Sequence, residues 1–261
     1  MEESPARHII GVGSGKGGVG KTTVAVNLAL ALRARGRAVG VVDADLNGPN
    51  LPLMLGITRH RWSEPWTLAR KGGMAIEPVR RYGLEVVSTG FIIGEDEPML
   101  AEGQILRMLV SQFLGQTRWS SLDYLIVDLP PGTGDVQQAL LGQLRLGHAL
   151  VVVTPQYVAH LDARKAVSMY RRAEVPVLGA VENMASLTCP HCGESIQVYP
   201  PVPTERSVWE MGVDRLGSVP LDPGFAAAAD RGLPLLLERP ESDQAAAFHG
   251  IAEEVDLRLA S

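Results

Sequence analysis

Runs of apolar residues that each end at a polar or glycine-rich turn recur along the chain. This pattern predicts strands at about Ile9–Gly13, Ala38–Val42, Tyr124–Asp128, Ala149–Val153 and Val175–Asn183. Continuous apolar runs of this kind are typical of strands whose two faces are both buried. The pattern therefore indicates a central sheet made mostly of parallel strands.

Segments with a helical spacing of apolar residues lie between these strands. They predict helices over residues 21–35, 98–119 and 159–173, and a closing C-terminal helix over 243–261. Two shorter strands, at 74–79 and 84–88, flank a turn at 81–83. Strands that alternate with helices predict an α/β fold with a doubly wound, mostly parallel sheet.

The composition is that of one globular domain. With 261 residues, 46% of them hydrophobic, the chain can bury a sizeable core, and we expect a single domain over 1–261 that starts with a short tail at 1–7. The net charge of −5 and the pI near 5.7 give no general reason to expect nucleic acid or an anionic membrane as a partner. The chain has no apolar run of about 18 residues, which predicts no membrane span. Its acidic, polar start predicts no signal peptide, and two cysteines favour a reducing compartment, so we expect a cytoplasmic protein.

A phosphate-binding pattern follows the first predicted strand. The segment Gly15–Thr23 reads Gly-Lys-Gly-Gly-Val-Gly-Lys-Thr-Thr and matches G-x-x-x-x-G-K-[ST]. Glycines leave room for backbone N–H groups to point at phosphate oxygens, and the helix that follows adds the positive end of its dipole. Lys21 is expected to bridge the β and γ phosphates of ATP, and Thr22 to bind Mg²⁺. The predicted ATP-binding residues of this loop are Gly15, Lys16, Gly17, Gly18, Val19, Gly20, Lys21, Thr22 and Thr23.

Carboxylates stand at the carboxyl ends of two predicted strands. Asp43 and Asp45 follow the second strand, and Asp128 ends the strand that starts at Tyr124. Because ligands bind at this edge of a parallel sheet, these side chains are placed for Mg²⁺ or for an attacking water. Asp128 is followed by a rigid Pro-Pro and a flexible Gly-Thr-Gly, which suits a loop that senses the γ-phosphate. We expect Asp45 and Asp128 to belong to the Mg²⁺ site.

The two cysteines, Cys189 and Cys192, form a C-x-x-C pair in a predicted loop at 184–204. A tetrahedral sulfur site takes four ligands, and the chain has two thiols. Three interpretations are open. The pair is a redox dithiol, for which a thioredoxin-like context is missing; it binds one metal ion together with His191; or two copies of the chain share one metal site across a two-fold axis.

The segment 56–81 is enriched in arginine and contains Trp62 and Trp66. A local nucleic-acid patch is one interpretation of this composition. Glu64 and Glu77 interrupt the basic run, so a solvated surface segment is favoured.

In combination these motifs resemble the Mrp (ApbC-like) family of ATP-dependent iron–sulfur cluster carriers, relatives of MinD, ParA and the nitrogenase iron protein. The resemblance covers about residues 9–252. It rests on the phosphate loop, on Asp-Ala-Asp-Leu-Asn-Gly-Pro-Asn at 43–50, on Asp-Leu-Pro-Pro-Gly-Thr-Gly-Asp at 128–135 and on Val-Glu-Asn-Met followed by Cys-Pro-His-Cys at 181–192. It implies a P-loop NTPase fold with a deviant Walker A motif.

The resemblance also implies roles for individual residues. Lys16 matches the lysine that reaches across a dimer to the partner's nucleotide, which makes Lys16, Lys21 and Asp45 the expected catalytic residues. Asp45 matches an aspartate that orients water beside Mg²⁺. Asn183 matches a residue that contacts the adenine edge, although an asparagine at a strand end is by its chemistry alone more often a turn residue.

The function that the resemblance implies is that of a slow ATP hydrolase acting as a homodimer. Cys189 and Cys192 of both protomers would hold one [4Fe–4S] cluster, received from a cluster-assembly scaffold and passed to apo iron–sulfur client proteins. One alternative is a MinD- or ParA-like positioning ATPase, and another is a dimer whose thiols hold a structural zinc. A MinD-like membrane helix would be basic and amphipathic, whereas the closing segment 243–261 is mainly acidic.

The chain departs from the family pattern in three places. Glu102–Gln104 replaces an Arg-Gly-Pro, so an interface contact of that arginine is not expected here. Pro200–Pro203 stands where relatives have glycine, which predicts a stiffer loop beside the thiols. The additional N-terminal domain of many relatives does not precede the phosphate loop, so recruitment through such a domain is not expected.

Overall fold

The computed structural model describes residues 4–45, 48–57, 76–91, 103–142, 144–189 and 191–260; residues 103–107 and 226 are described by their backbone alone. Within these ranges the strands are β1 (Ala6–Ser14), β2 (Val39–Asp43), β3 (Val79–Arg81), β4 (Leu84–Ser88), β5 (Leu122–Asp128), β6 (His148–Val153), β7 (Val177–Thr188), β8 (Ser195–Ile196) and β9 (Arg215–Leu221). The α-helices are α1 (Lys21–Ala34), α2 (Leu51–Met54), α3 (Gly103–Gly115), α4 (Asp135–Leu141), α5 (Tyr157–Arg172), α6 (Gly224–Asp230), α7 (Leu235–Glu238) and α8 (Asp243–Leu259).

The described strands form one sheet in the order β3-β4-β2-β5-β1-β6-β7-β8, and β9 also pairs with β7. The strand pairs β3/β4 and β7/β8 are antiparallel, and the others are parallel. This confirms the predicted doubly wound, mostly parallel α/β fold. The register sets Asp43 of β2 beside Asp128 of β5, and Asp128 beside Val12 of β1. The carboxyl ends of the three strands therefore meet at one edge of the sheet.

Apolar layers cover both faces of the sheet. On one face α1 and α8 pack against each other and against the sheet, so that Leu28 and Leu32 of α1 are fully buried together with Phe248 of α8. On the other face Phe113 of α3 and Tyr170 of α5 are buried among strand residues. Burial of this apolar surface is the main stabilising contribution, at about 25 cal/mol per Å². With both faces covered, the ends of the strands remain for ligand binding.

The structure corrects two predicted boundaries. β1 begins at Ala6 rather than Ile9, because Ala6 pairs with Leu122 of β5, so the predicted tail 1–7 is wrong for its last two residues. β7 continues past Asn183 to Thr188 and pairs there with β8, so the predicted loop 184–204 begins as a strand. The mixed sequence Met-Ala-Ser-Leu-Thr at 184–188, followed at once by the cysteine motif, hid this extension from an apolar pattern.

The strand predicted at 74–79 is wrong over its described residues 76–78, because β3 begins at Val79 and ends at Arg81, where the sequence predicted a turn. The remaining predicted elements agree within a few residues. The closing helix predicted over 243–261 is α8, which ends at Leu259. The helix predicted over 98–119 is α3 from Gly103 to Gly115, and its first predicted residues lie outside the described part of the chain. Also outside the described residues are the arginines and tryptophans of 58–75, Glu102 and Pro190. None of the described helices is both long enough and apolar enough to cross a bilayer.

Candidate nucleotide and thiol sites

The phosphate loop connects β1 to α1 at the centre of the sheet edge. Gly20 takes a left-handed conformation, with φ of 83°, and its carbonyl accepts a hydrogen bond from the N–H of Val24 in α1. This conformation is readily available to glycine. The first N–H groups of α1 have no partner within the helix and point toward the loop, as expected at an anion site.

The middle of the loop is open. A Cβ atom added to Gly17 or Gly18 would meet no other atom within 4 Å, whereas one on Gly15 would collide with the backbone of Asp162 in α5. The loop thus rests on α5 at one end and leaves space above its central glycines. A ligand's phosphates can approach the backbone there.

Lys21, Thr22 and Asp128 form the centre of the site. The Lys21 Nζ lies 2.7 Å from Asp128 Oδ1, and the Thr22 Oγ1 donates a hydrogen bond of 2.6 Å to Asp128 Oδ2. Asp45 lies farther from the lysine, with its Oδ2 3.7 Å from Nζ. The structure brings together Lys21, one of the two predicted catalytic lysines, and all three predicted Mg²⁺ residues.

Asp43 has a different position from Asp45. It is fully buried and accepts hydrogen bonds from Ser88 Oγ, from the N–H of Asp45 and from the N–H of Leu51. Asp43 therefore shapes the loop that carries Asp45, and its oxygens are used within the chain. The sequence alone did not reveal this structural role of Asp43, because it shows only an aspartate at the end of a strand.

The buried carboxylates perturb one another. Burial and the neighbouring charge of Asp128 raise the pKa of Asp43 to about 8. Burial also raises the pKa of Asp128, against the opposing effect of Lys21. A cation bound at this edge would oppose these shifts, because it favours the charged carboxylates.

These residues fit a nucleotide with Mg²⁺. A hydroxyl and carboxylate oxygens are the hard ligands that Mg²⁺ prefers, and Mg²⁺ at nucleotide sites uses few protein ligands, the rest being phosphate and water. The open glycines and the buried lysine supply the remaining contacts of a phosphate cradle. Among the described residues no group of three or more histidine, cysteine, aspartate or glutamate side chains is arranged to hold a metal ion alone.

Lys16 makes a contact that the sequence did not predict. Its Nζ lies 3.1 Å from the Oε1 of Gln156, the residue before α5. The lysine is half-buried at the surface of the loop and is held by its own chain. Gln156 is adjacent to the Thr-Pro turn after β6, and no motif in the sequence marked it.

Asn183 lies against the phosphate loop. Its Nδ2 donates a hydrogen bond of 2.9 Å to the carbonyl oxygen of Val19, and the side chain is almost completely buried. A Cβ on Gly20 would collide with this amide. The predicted base-contacting residue therefore lies beside the phosphate loop, and in this structure its amide donates to the loop backbone.

The thiol pair lies at the tip of the β7–β8 hairpin. The N–H of Cys189 donates to the carbonyl of Glu194 at 2.8 Å, and the N–H of Gly193 donates to the carbonyl of Cys189 at 2.9 Å. Hydrogen bonds to the Cys189 sulfur from the backbone N–H groups of Cys192 and His191, and from the Cys192 thiol, lower the pKa of the Cys189 thiol. Both cysteines are free, with Cys192 exposed and Cys189 partly exposed. The hairpin thus favours a thiolate at the surface, as soft metals require.

The class of P-loop NTPases is defined by a phosphate loop that follows a strand, an aspartate at the end of a neighbouring strand and a doubly wound sheet. This chain has all three features. A sequence profile for the family described as "ParA: NUBPL iron-transfer P-loop NTPase" matches residues 5–256. The chain belongs to this family, which confirms the resemblance seen in its motifs.

Relatives and solved structures agree with this assignment. An iron–sulfur cluster carrier protein of Aquifex aeolicus is 44% identical over 248 residues, which are 95% of this chain and 66% of that protein. The iron–sulfur cluster transfer protein NUBPL of Mus musculus is 40% identical over 98% of this chain and 78% of its own length. The chain thus spans about two thirds to four fifths of these two relatives. A nucleotide-binding protein of Archaeoglobus fulgidus in complex with ADP has a similar structure, with a TM-score of 0.76, 31% identity and coverage of 94% of this chain and 93% of that one.

Proposed function

We propose that this chain is an ATP-hydrolysing carrier of iron–sulfur clusters that works as a homodimer. The observation that supports this most strongly is that one strand, β7, joins the two sites. Asn183 on β7 contacts the phosphate loop, and Cys189 directly follows the end of the same strand. Relatives named as cluster carrier and cluster transfer proteins match nearly the whole chain.

ATP binds with its phosphates along Gly15–Thr23 and its adenine edge near the amide of Asn183. Thr22, Asp45 and Asp128 would hold Mg²⁺, which would neutralise negative charge on the phosphates. Lys21 is paired with Asp128 in this structure, and it exchanges that carboxylate for phosphate oxygens when the phosphates enter. Asp128 is then available to the shell of the metal.

Hydrolysis depends on position and charge more than on a strong base. Asp45 orients the water that attacks the γ-phosphate, and the products are ADP and phosphate. Lys16 leaves Gln156 and reaches the nucleotide of the partner protomer, where its positive charge stabilises the transition state. Efficient turnover therefore requires two copies of the chain.

The cluster is cargo held between protomers. Each chain offers two thiols, so two copies supply the four thiolates of a [4Fe–4S] site. A cluster-assembly scaffold delivers the cluster, and cysteines of a client apo-protein replace Cys189 and Cys192 by ligand exchange, with no net oxidation or reduction. The partly exposed hairpin gives client thiols access to it.

A transfer assay tests this function. Protein reconstituted anaerobically with iron and sulfide is mixed with an apo-enzyme that regains activity when it receives a [4Fe–4S] cluster. We expect recovery with the wild type and none with Cys189→Ser/Cys192→Ser, whose nucleotide site is intact. Equal recovery from the serine variant, or from free iron and sulfide under the same conditions, would refute the carrier function.

A further inference from the structure

β7 consists of two halves with different surroundings. The first half, up to Asn183, pairs with β6 on one side and β9 on the other. The second half is partly exposed from Met184 to Cys189, and its last two residues pair with β8. The ladder to β9 shifts register between Asn183 and Leu187. The strand is thus paired on both sides up to Asn183. Beyond the shift its pairing in the described part of the chain is sparse: Leu187 pairs with Leu221 of β9 and with β8, and Thr188 pairs with β8.

Met184 marks the junction of the two halves. Its φ of 58° is in the left-handed region, which residues with a side chain rarely adopt. Backbone strain of this kind persists where the surrounding structure fixes it, and it is enriched in switch regions. Here the fixed neighbour is Asn183, because its amide is held by the carbonyl of Val19.

Asn183 contacts two neighbouring residues of the phosphate loop, Val19 and Gly20. Gly20 has no side chain, so the amide of Asn183 approaches the residue that begins the turn into α1. Val19 and Gly20 are also part of the loop backbone that lines the proposed phosphate cradle. A movement of this backbone is therefore passed to the Asn183 amide through one hydrogen bond.

We propose that Asn183 is a positioning residue that links occupancy of the phosphate loop to the position of the thiol hairpin, with Met184 as the joint. Filling the loop shifts Asn183, and the joint turns this shift into a change in direction of the strand that ends at Cys189. The accessibility of the two thiols then depends on the ligand in the loop. This inference rests on the proposed function, since it describes how the nucleotide site of a cluster carrier controls its cargo site.

The reactivity of the thiols tests the link without any cluster. The rate of alkylation of Cys189 and Cys192 is measured by mass spectrometry in apo-protein, with and without saturating Mg²⁺ and tripolyphosphate. Tripolyphosphate fills the phosphate loop but has no base, so a contact of Asn183 with adenine plays no part. We expect the ligand to change the alkylation rate about fivefold or more in the wild type.

Variants of Asn183 test whether this residue links the phosphate loop to the thiols or only supports the fold. Asn183→Ala and Asn183→Asp both lack the amide N–H that Val19 accepts, and the aspartate keeps the size of the side chain if the alanine folds poorly. We expect each to bind tripolyphosphate and to lose the rate change. Asn27→Ala is the control, because Asn27 is also buried and its amide donates to a backbone carbonyl, that of Thr23 within α1, rather than to a residue that β7 touches.

Met184→Gly relaxes the joint and is expected to weaken the response while the ligand still binds. A wild type whose thiols react at the same rate with bound tripolyphosphate would overturn the inference, and so would a full response in the Asn183 variants. A full response in Met184→Gly would overturn the role of the joint. None of these outcomes would refute the proposed cluster-carrier function, because the alkylation assay contains no iron and does not test cluster binding.

Discussion

Lys21 and Asp128 form a buried ion pair at the centre of the nucleotide site. The Nζ and Oδ1 atoms are 2.7 Å apart, the lysine side chain is 7% exposed and the aspartate is fully buried. The pair joins the first residue of α1 to the last residue of β5. In the absence of a ligand, Lys21 therefore neutralises the charge of Asp128. With a ligand bound, we expect Lys21 to bind phosphate and Asp128 to bind Mg²⁺.

Removal of this lysine destabilises the nucleotide-free protein. We expect Lys21→Ala to lower the free energy of unfolding by about 3 kcal/mol at pH 7, because a buried carboxylate loses its cation. Lys165→Ala is the control, since Lys165 is 67% exposed in its ion pair with Asp162 and its loss costs less than about 1 kcal/mol. Urea unfolding of both variants measures the difference. Equal stability of the two variants would show that the buried pair is not stabilising.

Two glycines of the phosphate loop are expected to differ in how much an alanine substitution lowers the free energy of unfolding. Gly20→Ala forces a side chain into a left-handed conformation and against Asn183, so we expect a loss of about 1–2 kcal/mol or more in unfolding free energy. Gly17→Ala places its Cβ in open space and leaves stability within about 0.5 kcal/mol. The same Cβ occupies room that phosphates need, so Mg·ATP binding weakens, as titration calorimetry would show. A Gly17→Ala protein that binds Mg·ATP like the wild type would place the phosphates elsewhere.

Substitution of Lys16 is expected to affect ATP hydrolysis but not ATP binding. We expect Lys16→Ala to bind Mg·ATP with an affinity close to that of the wild type and to lose hydrolysis by about 10³-fold or more, since the lysine acts on charge that develops in the transition state. Binding is measured by calorimetry, and hydrolysis by phosphate release at a protein concentration that favours dimers. Unchanged hydrolysis would remove the lysine from the catalytic site. Lys165→Ala, which alters an exposed lysine of α5, is expected to keep both properties.

His160 makes the fold sensitive to acid. Burial, aided by the charge of Arg215, lowers the pKa of this histidine from 6.5 to about 4, and its Nδ1 accepts the N–H of Val208 in the neutral form. Because the folded-state pKa lies below the unfolded value, the contribution is complete above pH 6.5 and is lost as the pH falls toward 4. Between pH 7 and pH 5 the loss is about 2 kcal/mol.

His160→Gln tests this dependence. Glutamine does not titrate, and its carbonyl oxygen can still accept from Val208. We expect the unfolding free energy of the variant to fall less between pH 7 and pH 5 than that of the wild type, by about 2 kcal/mol. Parallel pH profiles of the two proteins would contradict a buried neutral histidine.

Most of the sheet and the centre of the nucleotide site follow from local patterns. Apolar runs that end in Asp43 and Asp128 place two carboxylates at one edge, and the glycine pattern before Lys21 is specific to phosphate-binding loops. The structure confirms this arrangement because the parallel register aligns those strand ends. These features depend on residues that are close in sequence or on rules common to all parallel sheets.

Other contacts depend on pairs that are distant in sequence. Gln156 meets Lys16 from 140 residues away, and Asn183 meets Val19 from 164 residues away. The second half of β7 is a strand because β8 and β9 pair with it, although its mixed sequence and the cysteine motif after it are typical of a loop. No spacing rule reveals such contacts, since they are set by how the elements pack.

Native mass spectrometry after anaerobic reconstitution with iron and sulfide tests the central claim most directly. We predict a dimer that carries one cluster of about four irons and four sulfides, and a dimer or monomer without a cluster for Cys189→Ser/Cys192→Ser. Zinc analysis of the same samples is the control. One zinc per dimer with no cluster, or a cluster that the serine variant retains, would contradict the account of β7 as the strand that joins a nucleotide to its cargo.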